Sequence, residues 1–160
     1  MALAAAFIRG EPRALGRPRT RIIFPKGGGR PFVHVHAAPE DEEAIEYLAG
    51  RLRAMPGPWP LSTPVEVRAR FVLPMRQSDI RKRSRVAAKW HEAKPDVDNL
   101  AKLLLDAMTE AGWWDDDNLV VRLIVEKTTA AEGEEAGIHL VLEAVAPLTG
   151  APAQGTLLPS

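Results

Sequence analysis

Apolar and polar positions change period along this chain, and the changes mark out its elements. Residues 3–9 (LAAAFIR) form a short apolar run that predicts a strand, and Gly10, Pro12, Gly16 and Pro18 then interrupt it. Arg21–Phe24 is β-prone, Pro25–Gly29 is a turn, and Arg30–His36 alternates, so these pieces predict a hairpin with a glycine-rich loop. Ala44, Ile45, Leu48, Ala49 and Leu52 recur at helical spacing behind the acidic start Pro39–Glu43, and Pro56-Gly57-Pro58 ends that helix. In Pro64–Leu73 the residues Val65, Val67, Ala69 and Phe71 alternate with Glu66, Arg68 and Arg70, the pattern of a half-buried strand. The tightest i, i+3, i+4 pattern is Leu100, Leu103, Leu104, Ala107, Met108 and Ala111, which predicts a helix over 98–111 that stops at Gly112. Leu119–Lys127 and Gly137–Val145 are β-rich and predict an antiparallel pair.

The order β–β–β–α–β–α–β–β predicts an α/β (α+β) domain over residues 1–146, a single mixed β-sheet with two main helices packed on it. From Pro147 to Ser160 the composition predicts a disordered C-terminal tail. Arg76–Lys94 lacks apolar periodicity and predicts a loose helix or mobile loop, ordered by a partner. At 160 residues, with no cysteine and no apolar run of membrane-spanning length, the chain fits one domain without disulfides or thiolate metal sites. Its short apolar start lacks a preceding basic residue and is not read as a signal peptide, which fits a cytoplasmic location.

Charge alters this ordinary picture. The net charge is zero, but residues 1–36 hold seven Lys/Arg against one acidic residue, and residues 76–94 hold seven against two. Residues 96–117 reverse the balance, with seven acidic residues and one lysine. Screening confines each patch to about 10 Å, so the segregation matters more than the total. Two basic patches around an acidic cluster suit a polyanion held over metal ions.

The acidic stretch is KPDVDNLAKLLLDAMTEAGWWDDD, residues 94–117. Asp96 and Asp98 stand where the chain enters the helix, Lys102 lies one turn beyond Asp98, and Asp115–Asp117 follow the helix. Carboxylates without a neighbouring histidine suit Mg²⁺ rather than zinc, and Mg²⁺ suits phosphodiester hydrolysis. Each residue also has an ordinary use. Asp96 is a good N-cap, Asp98 favours the helix dipole, Asp98 and Lys102 make an i, i+4 pair, and Asp115–Asp117 make a solvated turn. The helix ends lie about 20 Å apart. To meet Asp96 and Asp98, Asp117 must be carried back along the helix or supplied by a second subunit. Trp113 and Trp114 suit core or dimer contacts, or stacking on an unpaired base.

KPDVDNLAKLLLDAM…WWDDDNLVV, with the upstream GEPRALGRPR, resembles the RusA-type Holliday junction resolvases, small crossover junction endodeoxyribonucleases often encoded by phages and prophages. The resemblance implies that Asp96, Asp98 and Asp117 bind metal, with Asp116 the alternative to Asp117, and that Lys102 is catalytic. It implies Mg²⁺ as cofactor, with Mn²⁺ able to substitute, a homodimer, and paired symmetric nicks across a four-way junction. Arg17, Arg19, Arg21, Arg76, Arg81, Lys82, Arg83, Arg85, Lys89 and Lys94 would then contact phosphates. The alternatives are a nuclease for flaps, forks or other branched DNA, and a non-catalytic DNA-binding protein.

Overall fold

The computed structural model describes residues 2–16, 19–36, 38–80 and 86–148. Its elements are β1 (Ala2–Arg9), β2 (Arg19–Ile23), β3 (Phe32–His36), α1 (Pro39–Arg53), β4 (Val65–Leu73), α2 (Gln77–Ile80), β5 (Lys89–Trp90), α3 (Val97–Glu110), a 3-10 turn (Asp117–Leu119), β6 (Val120–Thr129) and β7 (Gly137–Ala144). β1, β7, β4, β6 and β5 form one mixed sheet in that order, and β2 and β3 form a separate hairpin. The α+β class and the mixed sheet agree with the expectation from the sequence. The tail expected over 147–160 lies, from residue 149 on, outside the described residues.

α1 and α3 pack against each other over one sheet face. Leu52 of α1, Leu104 and Met108 of α3, Val67 and Phe71 of β4, and Leu142 of β7 are all buried in one cluster. These are the positions at helical or alternate spacing in the sequence, so the apolar pattern determines which face each element presents.

Three expectations are corrected. β6 and β7 do not pair with each other. β4 lies between them, parallel to β6 and antiparallel to β7. A parallel β4–β6 pair requires a crossover connection, and α3 is its helix. β4 is central because it is buried at Val65–Val67 and again at Phe71–Leu73, more than a half-buried strand would be. The hairpin lies outside the sheet and, among its described side chains, offers no buried face: Ile22, Phe32 and Val33 are all exposed. Arg76–Lys94 is not a uniform helix or loop in its described parts, and residues 81–85 lie outside the described residues. It contains the short α2 and the edge strand β5, which pairs with the end of β6.

On the sheet face opposite the helices, Glu66 is buried between Arg68 and Arg122 and bonds to both. The Arg122 guanidinium, helped by that of Arg68, holds the Glu66 carboxyl below its ordinary value against the opposing effect of burial.

Candidate functional site

α3 begins at Asp96, whose backbone is extended (φ −73°, ψ 142°) and whose carbonyl accepts from the Leu100 amide at 3.1 Å. Its side chain caps nothing: no hydrogen bond runs from the Asp96 carboxylate to the first helical turn. Asp98 is exposed in that turn and Lys102 is exposed one turn on. Among the described residues no hydrogen bond or ion pair engages the carboxylates of Asp96, Asp98 or Asp117. The capping and pairing uses that the sequence allows are therefore not taken up, and these groups remain available to a ligand.

The turn ahead of Asp96 is built by residues that sequence reasoning left without a role. His91 is buried, its amide donates to the Lys127 carbonyl at 3.1 Å, and its ring spans Thr129 Oγ1 (2.8 Å) and the Lys94 carbonyl (2.9 Å). A carbonyl only accepts, so Nε2 carries a proton, and in the neutral ring Nδ1 accepts from the Thr129 hydroxyl. Both ring nitrogens are thus occupied, and His91 serves the turn. Lys127 Nζ donates to the carbonyls of Ala93 and Pro95 at 2.7 Å each. β6 thereby fixes the backbone on which Asp96 is mounted. Neither position carried a periodic signal in the sequence, because their partners are distant along the chain.

After α3 the chain turns at Gly112 (φ +78°), a left-handed position that glycine adopts without strain. Trp113 and Trp114 are buried, so their reading as core residues holds and exposed base stacking does not. Trp113 stacks on Trp59 at 4.0 Å between ring centroids and donates from Nε1 to the Leu52 carbonyl at 3.3 Å. Trp114 Nε1 donates to Thr109 Oγ1 at 2.8 Å. These anchors determine where Asp115–Asp117 emerge.

That acidic run borders an open cleft with Asp106, Thr109 and Glu110 of α3. Burial raises the half-buried Asp106 carboxyl above its ordinary value, Lys102 opposes the shift and Asp117 adds to it. Asp106 therefore stands within electrostatic reach of both residues. Asp116 is engaged differently, because its Oδ1 accepts from the Asn118 amide at 2.8 Å and caps the 3-10 turn. Among the described residues, no three His, Asp or Glu side chains are grouped closely enough to hold a metal ion. One chain brings Asp96 and Asp98 to the same helix start and leaves Asp117 with Asp106.

The basic residues divide as well. Arg21, Arg76 and Lys94 are exposed. Lys89 is held by the buried Asp79 at 2.7 Å. Arg19 is on β2, and its side chain is not described; Arg17, Arg81, Lys82, Arg83 and Arg85 lie outside the described residues. The Leu15 amide donates to the Asn99 carbonyl at 3.2 Å, so the basic N-terminal segment runs beside the first turn of α3. No described helix is long and apolar enough to cross a membrane.

No individually curated protein matches the chain. The family model of the endodeoxyribonuclease RusA matches residues 10–141, from the end of β1 into β7. That is a family of crossover junction endodeoxyribonucleases, which act on branched DNA. The match spans most of the described fold and every candidate residue from Asp96 to Asp117, and the chain belongs to the RusA endodeoxyribonuclease family.

Proposed function

We propose that the protein is a Mg²⁺-dependent endonuclease that resolves four-way DNA junctions by paired symmetric nicks, working as a homodimer. The observation that carries this reading is the start of α3. There, among the described residues, the carboxylates of Asp96 and Asp98 take part in no capping bond or ion pair, and Lys102 stands one turn beyond. Idle carboxylates beside a polyanion repel it, so their use is with a cation.

Asp96, Asp98 and Asp117 would hold the metal. Their donor chemistry fits: it is exposed carboxylate oxygen, the chain has no thiolate, and the ring of His91, on the turn before them, is already occupied at both nitrogens. Among the described residues of one chain their grouping is incomplete, which favours the form of the reading in which a second subunit supplies Asp117. Two equivalent nicks also want two equivalent sites about a two-fold axis. When bound, Mg²⁺ supplies charge neutralisation at the phosphate and an acidified water for attack.

The chain's own groups do the rest. Lys102 offers a cation to the scissile phosphate or the leaving oxygen. Lys127 and His91 hold the turn that aims Asp96. Arg21, Arg76 and Lys94 offer exposed charge to phosphates, which positions DNA without reading its sequence.

The test is a labelled four-way junction incubated with purified protein, with and without Mg²⁺, beside flap and fork substrates. Symmetric nicks that need the metal and favour the four-way junction are expected. Asp98→Asn is expected to abolish cleavage while folding and junction binding persist. Normal cleavage by that variant would remove Asp98 from the site.

A further inference from the structure

The β2–β3 hairpin turns apolar side chains to solvent on both of its faces. Ile22 and Val33 pair across one face and are 58% and 60% exposed. Phe32 pairs with Ile23 across the other and is 52% exposed, and Phe24, beside the loop, is 72% exposed. Single exposed apolar residues are ordinary, but these four are neighbours on one short ribbon, and such a patch marks a contact surface. The same ribbon carries charge of one sign. Residues 12–39 hold six Lys/Arg and no acidic residue, and four of those cations (Arg19, Arg21, Lys26 and Arg30) lie within 19–36.

The loop that joins the strands is slim. The Gly28 amide donates to the Pro25 carbonyl at 3.3 Å, Gly28 is left-handed (φ +79°), and a Cβ added at Gly27 or Gly28 would meet only open space. Phe24 and Phe32 thus flank a narrow tip that carries the exposed Lys26 and Arg30. The root of the hairpin lies beside the candidate site. The Gly16 amide donates to Oδ1 of the buried Asp41 at 2.9 Å, and the Leu15 amide donates to the Asn99 carbonyl at 3.2 Å. These bonds tie the entering chain to the first turns of α1 and α3. On the exit side Ala38 is buried, and its carbonyl accepts from the Asp41 amide at 2.9 Å. Asn99 is the neighbour of Asp98. A five-residue strand such as β2 extends about 17 Å from that root, or about five nucleotide steps along one DNA strand.

A two-stranded ribbon fits a DNA groove, and apolar side chains can enter between base steps. Taking a base out of its stack costs least where the stack is already broken, as it is at a branch point. A second copy of the ribbon is a poor occupant, because facing ribbons would oppose cations. We infer that Phe24 and Phe32 stack on bases laid open at the branch point of the DNA, so that the hairpin distinguishes branched from continuous duplex. Lys26 and Arg30 hold the adjoining phosphates, which adds affinity without discrimination. The inference rests on the junction reading proposed above and names the part of the chain that recognises the branch.

The test measures binding of the Asp98→Asn chain to a four-way junction and to a linear duplex of the same sequence. Stacking of one base on an aromatic ring is worth at least about fivefold in affinity. Phe24→Ala combined with Phe32→Ala is therefore expected to weaken junction binding at least about fivefold and to leave duplex binding nearly unchanged. Lys26→Ala combined with Arg30→Ala is expected to weaken both substrates alike, and to lower the salt slope by about 0.9 for each phosphate no longer neutralised. A photo-crosslinking phenylalanine analogue at position 24 should attach to branch-point nucleotides. Unchanged thermal unfolding and size-exclusion elution are expected of every variant. Equal loss on junction and duplex for the phenylalanine pair, crosslinks confined to the outer arms, or an altered oligomeric state would overturn the inference. A parent chain with no preference for the junction would overturn it together with the junction reading, whereas a preference that survives the loss of both phenylalanines overturns the inference alone.

Discussion

Asp116 and Asp117 are adjacent, equally charged and both exposed, yet they are engaged differently. Asp116 satisfies the Asn118 amide at the head of a 3-10 turn, while the Asp117 carboxylate is in no hydrogen bond or ion pair among the described residues. A side chain already used as a cap is the poorer metal ligand, because binding would cost it that bond. Asp116→Ala is therefore expected to lower stability by about 1 kcal/mol, the ordinary worth of a cap, and to leave substantial cleavage. Asp117→Ala should leave stability nearly unchanged and abolish Mg²⁺-dependent cleavage. Thermal unfolding and junction cleavage measured on both variants decide the matter, and the reverse pattern would assign the third ligand to Asp116. The resemblance pointed to Asp117 and left Asp116 as the alternative; the physical difference between them, a backbone amide two residues on, has no mark in the sequence.

At the scale of elements, α3 was legible in the amino-acid pattern alone, because its apolar stripe repeats at helical spacing and Gly112 ends it. The turn at 91–96 was not legible. It has no period, and its order comes from contacts distant in sequence: His91 with Thr129, and Lys127 with Ala93 and Pro95. A lysine in a strand ordinarily reads as surface charge, whereas here it is the clamp on the backbone before Asp96. Lys127→Met removes two charge-assisted bonds. The expected loss is about 1–3 kcal/mol of stability. Misplacing a catalytic group by about 1 Å can cost roughly 100-fold in rate, so kcat should fall well beyond any change in KM. Lys127→Arg should restore part of kcat. Full kcat in a merely less stable Lys127→Met protein would show that the clamp serves folding alone. The same distinction explains the misjudged pairing of β6 and β7. Both strands are apolar and close in sequence, but local pattern does not record that β4, a more fully buried strand, takes the place between them.

Across the whole molecule, a net charge of zero conceals a basic surface whose members are not equivalent, and a binding experiment can sort them. Each phosphate neutralised by a lysine or arginine releases condensed counterions, which adds about 0.9 to the slope of log affinity against log salt concentration on duplex DNA. An exposed cation without a protein partner contributes fully, while one already held by a carboxylate has less charge to offer. Lys94 is exposed in the turn beside Asp96, and Arg76 is exposed ahead of α2. Lys89, from the same basic stretch, is held by buried Asp79. Junction binding measured over a range of salt, with the inactive Asp98→Asn chain as background, should show the slope falling by about 0.9 for each phosphate no longer neutralised in Lys94→Ala or Arg76→Ala. Lys89→Ala should leave the slope nearly unchanged and lower stability, because it removes the ion pair that Lys89 makes with the buried Asp79 carboxylate. A slope that responds to Lys89 as strongly as to Lys94 would mean that DNA displaces the Asp79 pair, and that β5 reorganises when the junction binds.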